Sequence, residues 1–181
     1  LDFSSYFKKP IVQKQEPIKN PSASPNKISD SIDIRKIVWK GAVNLGFQYP
    51  LFGTGVETFA YSYYFVRPQE HNLTSEWDYL YNKAHNEYLN FLATTGFFGI
   101  GTYIFFLSAV IILTLVWIIR SASLLQICLL ASWITILITN FIGFSTTVIN
   151  LYFYIIPLLI YYLEIAKKNE KNVVEKWVQP L

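Results

Sequence analysis

Two histidines carry the clearest capacity for acid–base chemistry in this chain, and each is followed by asparagine: His71-Asn72 and His85-Asn86. An imidazole with an ordinary pKa of roughly 6.5 is largely neutral at pH 7 and can take a proton from a hydroxyl, so each is a candidate general base. Their settings differ. From Lys83 to Thr95, His85, Leu89 and Leu92 recur at i, i+4 and i+7, which predicts a short helix running straight into an apolar segment. By periodicity alone, an amphipathic histidine at a membrane interface is the alternative to a catalytic one. His71 lies in EHNLTSEWD, where no periodicity holds it in place.

Other chemistries lack their residues. HNEYL is not the HExxH of a zinc protease, and with 2 histidines and 1 cysteine no metal site is expected. No Gly-x-Ser-x-Gly nucleophile elbow occurs. Gly53-Thr-Gly55 lacks the third glycine and preceding strand of a dinucleotide site and reads as a turn. No cofactor is expected. Asn72-Leu-Thr74 matches a glycosylation sequon, a short pattern that is common by chance.

The elements that must position these residues follow from the charge distribution. The chain has 181 residues, 52% hydrophobic and 15% charged, with a net charge of +3. That is too little charge for a soluble domain and too slight a basic excess to argue for nucleic acid. Residues 1–96 hold 19 of the charged side chains, residues 97–163 hold only Arg120, and residues 164–181 hold seven. The 23 uncharged residues from Phe97 to Ile119 would extend about 35 Å as a helix, enough to cross a hydrocarbon core of roughly 30 Å. The 43 from Ser121 to Leu163 suffice for two spans, turning at Asn140, Gly143, Ser145 and Thr146. The spacing predicts spans at about 97–119, 124–143 and 147–163, the last interrupted by Pro157. Gly96, Gly99 and Gly101 would permit close helix contact. By the positive-inside rule Arg120 and the 164–181 tail face the cytoplasm and residues 1–96 the outside, with Trp117, Tyr161 and Tyr162 in an aromatic belt.

The external part divides again. Residues 1–28 are expected to be a flexible tether, because residues 8–27 hold four of the eight prolines and almost no large apolar side chains. Residues 29–96 are expected to form a loop domain. Ser29 or Ser31 is a candidate cap for a helix with Ile34, Ile37, Val38, Ala42 and Leu45 on one face, ending at Gly46. A turn through Pro50 and Gly53 follows, then a tyrosine-rich segment, Phe59 to Val66, whose aromatics suit core packing, sugar stacking or the membrane interface. The lack of methionine and the start at Leu1 suggest a piece of a longer protein.

These residues carry a resemblance. His85-Asn86, a nine-residue spacer, Gly96 and Gly99 at the head of an apolar span resemble the signature of the bacterial O-antigen ligase and polymerase family. Arg35-x-x-x-Trp39, Pro50-x-x-Gly53-x-Gly55 and the three closing spans are similar to the family in order. His71 fails the test, since Asn82 stands where the first glycine would be, so for glycan transfer His71→Ala is expected to be close to neutral and His85→Ala abolishing. The resemblance implies an all-α polytopic membrane protein, an external helical loop domain followed by three transmembrane helices, in the bacterial cytoplasmic membrane. It further implies a metal-independent, inverting glycosyltransferase. The donor would be a polyprenyl-diphosphate-linked glycan and the acceptor a glycan, lipid core or protein. His85 would be the base and Arg35 would hold the leaving diphosphate. Arg67 and Lys83 are candidates for further phosphate contacts, and Asn86 and Glu87 for positioning the histidine or a sugar. The piece alone would be inactive without the earlier spans. The alternative is a non-catalytic transporter or scaffold subunit with a partner-binding loop, against which the uncharged spans count modestly.

Overall fold

The computed structural model describes residues 30–121 and 123–178, residues 172–178 by backbone alone; the expected tether and Ser29 lie outside the described residues. Among the described residues there are five α-helices, one 3-10 helix and no strand. They are α1 (Ser31–Gln48), α2 (Phe59–Val66), the 3-10 helix Gln69–Leu73, α3 (Glu87–Arg120), α4 (Leu124–Ile142) and α5 (Thr147–Val178). The all-α expectation holds. The chain forms two compact units, one running to Gly101 and including Ile142–Phe144, the other comprising Thr102–Phe141 and the chain from Ser145.

In the first unit, α1 is capped by Asp30 rather than by a serine. Its carboxylate accepts from the Ile32 amide at 3.2 Å, and its negative charge suits the helix N-terminus. The helix runs past Gly46 to Gln48 and closes with the Tyr49 amide on the Leu45 carbonyl. Ile34, Val38, Ala42 and Leu45 are buried against Phe59, Tyr63, Tyr81, Ala84 and Ala93, while Ile37 is half-buried. Gly41 lets α2 approach: a Cβ there would meet the Tyr63 ring at 2.5 Å. Phe59 and Tyr63 are therefore core, whereas Tyr61, Tyr64 and Phe65 are exposed.

The helix expected over Lys83–Thr95 starts later, at Glu87, because Asn86 caps it. Its Oδ1 accepts from the Leu89 amide at 3.0 Å and its carbonyl from Asn90 at 2.9 Å. His85 thus precedes the helix, with a left-handed φ of 52°. Helix α3 is then broken at Gly96 (φ 66°, ψ −167°). The Pro50–Gly55 turn fills the break and satisfies the backbone on both sides of it. Phe97 and Phe98 donate to the carbonyls of Pro50 and Leu51, while Thr54 and Gly55 donate to those of Ala93 and Thr94. Glycine is required on both faces: a Cβ on Gly53 would lie 2.3 Å from the Thr94 carbonyl carbon, and one on Gly96 2.6 Å from Leu51. Gly96 is therefore a break rather than a helix-contact residue. Gly99 leaves room for the Thr95 side chain, and Gly101 has nothing within 4 Å.

Three helices are long and apolar enough to cross a membrane: Glu87–Arg120, Leu124–Ile142 and Thr147–Lys171. In the second unit Trp133, wholly buried, stacks on Phe153 with ring centroids 5.5 Å apart. Pro157 does not interrupt α5. Lacking an N–H, it leaves the Phe153 carbonyl without its helical donor, and Trp133 Nε1 supplies one at 2.8 Å. Near the other end of these helices Lys167 donates to Gln126 Oε1 at 2.7 Å and to the Ser121 carbonyl, and Gln126 donates to Glu164. Trp117 and Tyr161 lie 6.1 Å apart there. The helix continues through the charged residues beyond Leu163 to Val178.

Candidate functional site

The first unit contains a cavity of about 320 Å³ whose wall includes Arg35 of α1, Glu76, Tyr81 and Asn82 of the loop before α3, and His85. Each side chain has a local reason to be there. Arg35 lies on α1 one residue from Ile34, which is buried and fixes that face of the helix. Its Nη1 donates to the Ile142 carbonyl at 3.0 Å, which occupies one of the five guanidinium donors. His85 is set by the Asn86 cap behind it and by two edge-on rings, Tyr81 at 5.6 Å and Phe144 at 5.1 Å. Among the described residues neither ring nitrogen of His85 has a hydrogen-bond partner. Burial, then the charge of Arg35, lowers its pKa below the ordinary histidine value, and Glu76 partly opposes them. Burial and Arg35 both favour the neutral ring, the form that can accept a proton.

His71 is the opposite case, and its expected freedom is overturned. It is fully buried, with Nε2 at 3.2 Å from the Glu76 carbonyl and Nδ1 at 2.9 Å from the Tyr63 hydroxyl. A carbonyl can only accept, so the proton is on Nε2, and Tyr63 donates to Nδ1. Burial holds this ring's pKa down and pushes the Tyr63 phenol up. His71 thus fixes the Glu76 backbone, and the Tyr81 hydroxyl donates to the Glu76 carboxylate. Tyr81 lies between the two histidines, 5.2 Å from the His71 ring, and its phenol is pushed upward by burial and then by Glu76.

Of the residues singled out in the sequence, the structure brings Arg35 and His85 to one cavity. Arg67 and Lys83 do not line it. Arg67 spans its own loop, donating to the Trp77 carbonyl at 2.9 Å and to Asn72 Oδ1, and Lys83 pairs with Glu57 at 3.0 Å. Asn86 is buried as a helix cap, and Glu87 is buried in the first turn of α3. Trp39 lies one turn after Arg35 and is half-buried. Pro50, Gly53, Gly55 and Gly96 form the interlocked break rather than the cavity wall. Sequence reasoning missed Glu76, Tyr81 and the turn residues Ile142 and Phe144. Glu76 sits in the aperiodic EHNLTSEWD, and Ile142 contributes only a backbone carbonyl, which no residue type advertises. Among the described residues no group of three or more His, Cys, Asp or Glu side chains could hold a metal ion.

A family model described as O-antigen ligase matches residues 11–104, a span that takes in both Arg35 and His85. No curated protein and no solved structure matches the chain.

Proposed function

The chain belongs to the O-antigen ligase family, a family of membrane proteins that transfer glycans, and from that premise we propose that His85 is its general base and Arg35 its donor-diphosphate ligand. The observation that supports this reading is an imidazole, free of hydrogen-bond partners among the described residues, on the wall of the same cavity as an arginine. The donor is a glycan on a polyprenyl diphosphate. An acceptor hydroxyl gives its proton to a His85 ring nitrogen as its oxygen attacks the anomeric carbon from the face opposite the phosphate. The bond from that carbon to the phosphate oxygen breaks, the electron pair leaves with the polyprenyl diphosphate, and the carbon is inverted. Arg35 binds the diphosphate, and the charge that develops on its leaving oxygen, through planar, paired donors, an arrangement that lysine cannot copy. Glu76 stabilises the imidazolium that forms and is itself held by His71 and Tyr81. In this reading residues to 96 face outward in the cytoplasmic membrane, and Arg120 and the lysines beyond Glu164 face the cytoplasm, as their asymmetry favours.

The test is glycan transfer from a lipid-linked donor by the full-length protein in membranes. His85→Ala is expected to cost about 10²–10⁴-fold in rate with insertion intact, the range for losing a general base. Arg35→Lys is expected to weaken donor use, seen in the donor KM. Unchanged transfer by His85→Ala would remove the assignment.

A further inference from the structure

The turn that fills the break in α3 has a second property. Phe47, Phe52, Phe97 and Phe98 are exposed by 68%, 56%, 49% and 67%. They form two edge-on pairs, Phe47 on Phe97 and Phe52 on Phe98, each with ring centroids 6.0 Å apart. Leu51 is exposed beside them, and no residue between Lys40 and Glu57 is charged. Phe97 and Phe98 follow the Gly96 break in a helix that is uncharged from Tyr88 to Ile119 and long and apolar enough to cross a membrane, so their depth is set by that helix. The rings that rest on them share that depth. Loops are normally barred from lipid because their backbone groups lack partners there. Here the amides of Gly53, Thr54, Gly55, Phe97 and Phe98 all donate to carbonyls within the interlock.

We propose that the Pro50–Gly55 turn, with Phe47 at the end of α1, is a re-entrant wedge seated in the bilayer, its aromatic side chains in contact with lipid. The occupant of this apolar surface is the bilayer because the surface is continuous with a membrane span, carries no charge and has the amides of Gly53, Thr54 and Gly55 internally bonded. The wedge would pin the loop unit to the membrane face independently of any catalytic role. Its test therefore needs no substrate.

The experiment places single nitroxide labels on the full-length protein in lipid nanodiscs, in a cysteine-free background that includes Cys128→Ser. Phe52→Cys and Phe47→Cys are compared with Phe98→Cys, in the span helix just past the Gly96 break, and Leu73→Cys, an exposed position on the 3-10 helix. Each label is read for collision with lipid-dissolved oxygen and with a water-soluble nickel chelate. The proposal expects the labels at Phe52 and Phe47 to group with Phe98, gaining oxygen collisions and losing nickel collisions relative to Leu73. Grouping with Leu73 would overturn it in favour of a water-exposed turn. Shielding from both reagents would overturn it in favour of a surface covered by protein.

Discussion

His71 and His85 are neighbours across Tyr81, and the difference in what their nitrogens touch assigns them different work. Both nitrogens of His71 are committed, so removing the ring leaves a buried phenol and a half-buried carbonyl short of partners. We expect His71→Ala to destabilise the protein by about 1–3 kcal/mol, the range for buried groups left unsatisfied, seen as a lower midpoint of thermal unfolding. The pH profile separates the groups around His85. With His85 as the proposed base, transfer requires the neutral ring, so activity should rise as pH passes up through its pKa. Glu76 favours the charged form, and Glu76→Gln, which keeps an acceptor for Tyr81, should therefore move the rising limb to lower pH. Neutralising Arg35 with Gln should move the limb to higher pH. A limb that stays put in both variants would mean that another group is being titrated.

Two elements depend on a backbone carbonyl or amide that regular structure cannot serve. The Gly53–Gly96 interlock has no space for a Cβ on either side, and both glycines have positive φ. Gly53→Ala and Gly96→Ala are expected to lose about 1–3 kcal/mol from backbone conformation alone, with faster hydrogen exchange at the amides of 54, 55, 97 and 98. Gly101→Ala, with nothing near its Cβ, should stay within about 0.5 kcal/mol of the parent. In α5 the Trp133 indole replaces the donor that Pro157 lacks. Trp133→Phe is expected to cost about 0.6–1.7 kcal/mol in unfolding from mixed micelles, the span measured for hydrogen bonds within membranes. In a Pro157→Ala background, where residue 157 can serve the Phe153 carbonyl itself, the same change should cost less. Equal losses in both backgrounds would reduce Trp133 to packing.

At the scale of the molecule the two units divide the work. The unit made of the chain up to Gly101 with Ile142–Phe144 holds every residue proposed for chemistry, and the other holds most of the apolar length. Large apolar side chains face outward from the second unit, Phe105 and Ile119 among them, as expected where the surrounding solvent is lipid. The membrane character, the all-helical class, the signature spacing of His85 and the buried face of α1 were all legible in the sequence. They depend on local quantities: the length of an uncharged run, the period of a helix face, the distance along the chain between a histidine and a glycine. The start of α3 was misread because apolar periodicity continues through Lys83 and His85, while the Asn86 cap, an interaction within one turn, overrides it. Pro157 was misread because its cost depends on whether a donor from another helix reaches one carbonyl. Only the tertiary structure could decide that Arg35 and His85 share a cavity, that Arg67 and Lys83 are engaged elsewhere, and that His71 is a buried brace for Glu76. Each of these is a contact between residues distant in sequence or held by an aperiodic loop, and residue type and spacing do not encode such contacts.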